Sequence, residues 1–190
     1  FDYTDIRAYI KKQQEHKIMT KERTISSDRI YSGKVVSLKV DTVEVSEGRT
    51  AIREIVNHCG AVCAVGVTED KKIVLVKQFR KSIEKDIIEI PAGKLEPGEK
   101  PDEAIIREFK EETGYGVSNL RYMTYFYTTP GFSDEVGHIY FLDARDKGDT
   151  NFDEDEDIEI IELSLRETKE MIYSKEIVDA KTILGIMMYS

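Results

Sequence analysis

The chain has 190 residues, with 37 Asp and Glu against 28 Lys and Arg, and a formal net charge of −9. That length suits one domain with a substantial core, and an acidic chain without an extended basic stripe argues against a nucleic-acid partner, whose backbone is gripped by clustered cations. No run approaches the ~20 apolar residues of a membrane span and the N-terminus lacks the apolar stretch of a secretory signal, so the sequence predicts a cytoplasmic protein with no membrane partner.

Residues 1–18, FDYTDIRAYIKKQQEHKI, are polar with an irregular helical pattern, and Met19 followed by TKERTI looks like a natural chain start. They are read as a leader or a separate helical arm and excluded from the fold. Residues 19–56 are read as a β-ribbon. From Gly33 the pattern alternates through VVSLKVDTVEV, turns at Ser46-Glu47-Gly48-Arg49, and continues as TAIREIVNH. Residues 57–190 form the main domain, with strands predicted at GAVCAVGV, IVLVKQF and IIEI, then at RYMTYFYT, EVGHIYFLD and DIEIIELS. Ser164 with Glu167 three residues on is a capping-box signature that opens a C-terminal helix. A last helix is expected at roughly Asp179 to Met188. Strands on both sides of a central helix, with helices at the end, indicate an α+β fold: a mixed sheet flanked by helices with an N-terminal antiparallel ribbon.

Cys59 and Cys63 sit in HCGAVCAVGV with three residues between them, which is not a C-x-x-C redox or zinc pattern, and they read as reduced core thiols. His16, His58 and His138 are far apart and show no ligand spacing. They read as structural or solvent-exposed.

The informative stretch is GKLEPGEKPDEAIIREFKEETGY, Gly93 to Tyr115. Pro101 suits the first turn of a helix and Gly114 the residue just past its end, which predicts a helix over 101–113. Glu108, Glu111 and Glu112 then project from one face, three and four residues apart. Two like charges roughly 4 Å apart repel by about 4 kcal/mol at an effective dielectric of ~20. A hard divalent cation such as Mg²⁺, or Mn²⁺ in its place, turns that repulsion into attraction. Arg107 stands four residues before Glu111, so its guanidinium can hold a carboxylate in place, with Glu99 the evident second partner. Gly93, after Pro91-Ala92 at a strand end, permits a sharp turn toward the helix. The plain alternative is a solvated Glu-rich helix face carrying a surface salt bridge.

The spacing Gly, five residues, Glu, seven residues, Arg-Glu, an apolar residue, any residue, Glu-Glu, any residue, Gly, apolar residue is met in full, with Phe109 and Tyr115 in the apolar places. This segment resembles the Nudix box. The resemblance implies an α/β/α sandwich, a divalent-cation site at Glu108, Glu111 and Glu112 completed by the carbonyl of Ala92, and hydrolysis of a diphosphate linked to another moiety. IPAG before the box, YTTPGFSDE after it, KQFRK upstream, and DEDEDIE with VDAKT downstream resemble the ADP-ribose pyrophosphatase branch, and Pro130 falls sixteen residues past Gly114. That resemblance covers roughly residues 22–189.

Carried over by position, it implies Arg53 and Arg80 as substrate-binding cations, Thr129 and Glu135 as hydrogen-bonding groups of a ribose pocket, and Glu154 or Glu156 as a loop carboxylate that takes a proton from the attacking water. The sequence does not separate Glu154 from Glu156, and Glu156 is also a candidate metal ligand. The implied reaction is Mg²⁺-dependent cleavage of ADP-ribose, or a related nucleoside diphosphate sugar, to AMP and ribose 5-phosphate by a homodimer whose ribbon crosses to the partner. Two alternatives stand beside it: a nucleoside triphosphate pyrophosphohydrolase, and a module that binds ADP-ribose without hydrolysing it. Without the resemblance, Arg53 and Arg80 read as surface arginines, 129–135 as a turn and 153–157 as a solvated acidic run.

Overall fold

The computed structural model describes residues 21–46, 48–151 and 157–189. The chain divides into two compact units, one ending at Val56 and one running from Asn57. The first contains an antiparallel sheet in the order β1-β2-β3, with β1 Arg23–Ser32, β2 Val36–Ser46 and β3 Arg49–His58, whose last two residues belong to the second unit. β2 and β3 follow the predicted hairpin. β1 falls within the 19–56 ribbon although the sequence predicts no individual strand there, and the reason is physical: RTISSDRIYS is exposed along its whole length and carries Ser, Asp and Arg, so no buried face imprints an alternation on it.

The second unit is built on a mixed sheet. Its strands are β4 Ala61–Val67, β5 Lys72–Arg80, β6 Lys85–Glu89, β7 Ala92–Lys94, β8 Gly116–Tyr127, β9 Val136–Arg145 and β10 Ile158–Ser164, in the order β10-β5-β4-β9-β8, with β6 paired to β5 and β7 to β4. β4 and β9 run parallel while the remaining pairs are antiparallel. Three helices complete the unit: α1 Pro101–Thr113, α2 Leu165–Tyr173 and α3 Ala180–Tyr189. The six predicted strands and three predicted helices of this unit are present. β7, only three residues long, was not expected.

Period-two alternation divides the core between two faces of the sheet. Val62, Ala64, Val74, Tyr140, Leu142 and Ala144 face one way and pack with Ala104, Ile105 and Phe109 of α1. Cys63, Val65, Ile73, Leu75, Ile139 and Phe141 face the other way and pack with Ile177 and Ile186. The result is the expected three-layer α/β/α sandwich. Gly66 makes one of the closest contacts: a Cβ there would lie 2.2 Å from the Phe109 ring, so the glycine lets α1 sit directly on β4.

Helix ends follow the sequence signals. Pro101 occupies the first turn of α1, and Gly114 ends it at φ 72°, a left-handed value glycine adopts without a Cβ penalty. Ser164 and Glu167 form a reciprocal capping box at α2.

Candidate active site at the box helix

The buried side of α1 includes Ala104, Ile105 and Phe109, and the same helix carries Glu108 and Glu112 to β7, with Glu111 beside them against Arg107. Glu112 is buried, and its Oε2 accepts the backbone N–H of Ala92 at 3.0 Å. Ala92 is held in β7 opposite Cys63, and Pro91 C=O accepts from Ala64 N–H at 3.1 Å. One end of the box loop is thereby fixed to both the sheet and the helix.

Gly93 acts in a way the sequence did not suggest. Its backbone lies outside the left-handed region, so freedom to turn is not what it supplies. A Cβ at this position would lie 1.8 Å from Cδ of Glu108 and 2.2 Å from its Oε1. The glycine is the cradle that lets the Glu108 carboxylate reach the loop backbone.

Arg107 organises the carboxylates. Its Nε and Nη2 donate to the two oxygens of Glu99, both at 3.0 Å, in a fork-to-fork pair. Its Nη1 lies 2.9 Å from Glu108 Oε1 and 3.1 Å from Glu111 Oε2. The bond to Glu99 raises the Arg107 pKa further, against the opposing effect of burial, with Glu108 adding to the rise. In return the Arg107 guanidinium, helped by the N–H of Glu96, holds the Glu99 carboxyl below its ordinary range. The sequence-predicted links of Arg107 to Glu111 and Glu99 are both present.

The donor set is chemically right for a hard divalent cation: clustered carboxylates and a nearby backbone carbonyl on a rigid helix and strand. Among the described residues, no three or more His, Cys, Asp or Glu side chains converge into a ready-made ligand cluster. Like charges have a reason to avoid one point. Glu108 and Glu111 turn to Arg107, and Glu112 to the Ala92 N–H.

A cavity of about 560 Å³ is lined in part by Cys63, Tyr127, Thr129, Glu135 and Lys181, residues of the sheet, of the turn between β8 and β9 and of the start of α3. Thr129 and Glu135 both line it. The hydroxyl that bonds Glu135 belongs to Thr128, whose Oγ1 donates to Glu135 Oε2 at 2.8 Å, while the Thr129 carbonyl accepts the N–H of Phe132 and Ser133 in a turn. The turn is pinned by Asp134, which accepts from Asn57 Nδ2 at 2.7 Å and His58 N at 2.9 Å. Burial would raise the Asp134 pKa, but those two hydrogen bonds, together with its own backbone N–H and the nearby His58, lower it below the ordinary value. His58 Nδ1 accepts from Gly60 N–H at 3.1 Å, consistent with a structural histidine. Cys63 is buried, which pushes its thiol up to about 12.

Arg80, at the end of β5, binds the buried carboxylate of Glu89 through Nε at 2.7 Å. On the other side Glu89 takes Lys181, which also contacts Asp179 at 3.1 Å. Glu89, Asp179 and Lys181 were not foreseen: Glu89 and Lys181 are 92 residues apart and no spacing rule joins them. Arg53 lies on β3 in the N-terminal unit and pairs with Glu22 through Nε and Nη2. Glu154 and Glu156 lie outside the described residues.

Residues 57–182 match the NUDIX domain family. The chain belongs to that family. It is 46% identical over 167 residues to an ADP-ribose pyrophosphatase of Bacillus subtilis (strain 168), covering 87% of this chain and 90% of the relative. It is equally identical, with the same coverage, to a methanol dehydrogenase activator of Bacillus methanolicus. A crystal structure of an ADP compounds hydrolase shares the Nudix fold at a TM-score of 0.79 and 19% identity, covering 90% of this chain and 93% of the other.

Proposed function

We propose that this Nudix protein hydrolyses the diphosphate bond of ADP-ribose, or of a related nucleoside diphosphate sugar, giving AMP and ribose 5-phosphate. The observation that carries the reading is the complete box with its carboxylates held by neighbouring groups: Glu108 seated against Gly93, Glu112 oriented by the Ala92 N–H, and Arg107 bridging Glu99 to Glu108 and Glu111. The 46% identity to an ADP-ribose pyrophosphatase over most of both chains supports the substrate class.

The cofactor of this reading is Mg²⁺, with Mn²⁺ as substitute, held by Glu108, Glu111, Glu112 and the Ala92 carbonyl. When bound there, a divalent cation supplies charge that offsets the negative charge developing on the diphosphate and lowers the pKa of an attacking water. The protein's own residues do the rest. Arg107 keeps Glu108 and Glu111 from swinging into solvent, and the Ala92 N–H orients Glu112. Arg80 and Arg53 are the proposed cations for substrate oxygens, while Thr129 and Glu135 line the cavity that receives the sugar. Glu154 or Glu156 takes the proton of the water that attacks phosphorus, after which the bond to the bridging oxygen breaks.

The same reading makes the protein a cytoplasmic homodimer paired through the 19–56 ribbon. Exposed Ile25, Ile30 and Ile52 in that unit support a partner surface. Light scattering at micromolar concentration tests it, since a pure monomer contradicts the dimer.

Product identification tests the function. Incubation with ADP-ribose and Mg²⁺ should release AMP and ribose 5-phosphate in equal amounts. Pyrophosphate released from a nucleoside triphosphate in preference would select the triphosphate alternative, and binding without turnover would select the binding module. The two equally similar Bacillus relatives carry different names, so the panel should span several nucleoside diphosphate sugars.

A further inference from the structure

Glu89 is almost fully buried at the end of β6, yet it serves two cations at once. Its Oε2 accepts from Nε of Arg80 at 2.7 Å and lies 2.7 Å from Nη2, and its Oε1 binds Nζ of Lys181. Lys181 is delivered by the first turn of α3, where Asp179 Oδ2 lies 3.1 Å from the same ammonium and also accepts the N–H and hydroxyl of Thr182. Thr182 Oγ1 in turn accepts the buried N–H of Ile90 at 2.8 Å. Two cations and two carboxylates therefore form one connected network, tying α3 to the strand that leads into Ala92 and Gly93.

Stability alone is a poor explanation for this arrangement, because buried ion networks are commonly replaceable by apolar packing without loss. The geometry has a more specific consequence. Arg80 uses Nε and Nη2 on Glu89, and among the described residues its Nη1 has no partner, so one edge is fixed and the other is presented. Lys181 is likewise held by two carboxylates while lining the 560 Å³ cavity. A guanidinium held in one rotamer loses less entropy when it meets a phosphate than a freely swinging one.

We propose that Glu89 is a positioning residue, which fixes Arg80 and Lys181 side by side so that the pair meets the anionic substrate preorganised. The inference rests on the diphosphate-hydrolase reading and adds to it a residue that touches no substrate.

The test compares wild type, Glu89→Gln and Lys181→Met by steady-state kinetics with ADP-ribose and Mg²⁺, by calorimetric binding of a non-hydrolysable methylene analogue of ADP-ribose, and by thermal unfolding. Glu89→Gln is expected to raise KM and weaken analogue binding about tenfold while kcat falls less than threefold. Combined with Arg80→Met, it should add only the part that acts through Lys181, so the double variant should lose clearly less than the product of the two single losses. Should Glu89→Gln fail to fold, Lys181→Met, with its side chain at the cavity edge, should show the same split between KM and kcat. A lower Tm with unchanged KM and unchanged analogue binding would make the network merely structural and overturn the proposal. A wild type that neither turns over nor binds any nucleoside diphosphate sugar would overturn the function itself, and this positioning role with it.

Discussion

Gly93→Ala separates the chemistry of the site from the stability of the fold. The backbone at Gly93 is compatible with alanine, so the substitution itself is worth a few tenths to about 1 kcal/mol in favour of folding through the unfolded chain. The new Cβ would meet Cδ of Glu108 at 1.8 Å, and an ordinary contact begins near 3.4 Å. The carboxylate must retreat by about 1.6 Å, at a rotamer cost of about 0.5–1.5 kcal/mol. These terms nearly cancel, and global stability should change by less than about 1 kcal/mol. Activity should not be spared. Oxygen–Mg²⁺ distances tolerate only about ±0.2 Å, and a misplacement of ~1 Å at a reacting centre costs on the order of 10²-fold. Calorimetric unfolding and kcat/KM over a Mg²⁺ titration should therefore give a near-native Tm, a loss of about two decades in kcat/KM and a raised Mg²⁺ requirement. Activity within threefold of wild type at the same half-saturating Mg²⁺ would refute the cradle argument.

Arg107→Met should lower both activity and stability at neutral pH. The depressed Glu99 pKa contributes stability that is complete above its ordinary value of about 4.5 and is lost as pH falls through the lower folded-state value, so the stability difference between wild type and variant, followed by urea unfolding, should shrink as pH drops below 4.5. Phe109→Ala removes a fully buried ring seated on Gly66 and should cost about 3–5 kcal/mol by urea denaturation, a loss that a surface change on α1 such as Lys110→Ala would not approach. Of the two cysteines, exposed Cys59 should react with a chromogenic disulfide at pH 8 in the native protein, while Cys63, its thiol pushed up to about 12, should react only after denaturation. Immediate reaction of both thiols would contradict the described core.

The legibility of this chain varied with the range of the interactions involved. Helix α1 was readable to its ends because Pro101 and Gly114 act locally, and β4 was readable as a strand from its apolar run, but a strand buried on both faces shows no alternation, so its division between the two core faces was not. The pairings of Arg107 with Glu99 and Glu111 were within reach because eight and four residues of a loop and helix join them. β1 has no buried face to pattern it, and β7, Ala-Gly-Lys, has almost no strand propensity and exists because β4 offers it a partner. Glu89 looked like an ordinary alternating residue of IIEI, and only tertiary structure brings Lys181 to it. Gly93 was singled out correctly for the wrong physical reason, since its missing Cβ serves a side chain fifteen positions away.

The central claim is that the carboxylate face of α1, closed by Ala92, holds the divalent cation on which hydrolysis depends. Anomalous diffraction at the manganese edge, from crystals soaked in Mn²⁺ and a non-hydrolysable ADP-ribose analogue, tests it most directly. The account predicts a manganese peak about 2.0–2.3 Å from carboxylate oxygens of Glu108 and Glu112, lost in Glu112→Gln. A peak elsewhere, or none at α1 in crystals of an enzyme active with Mn²⁺, would contradict it.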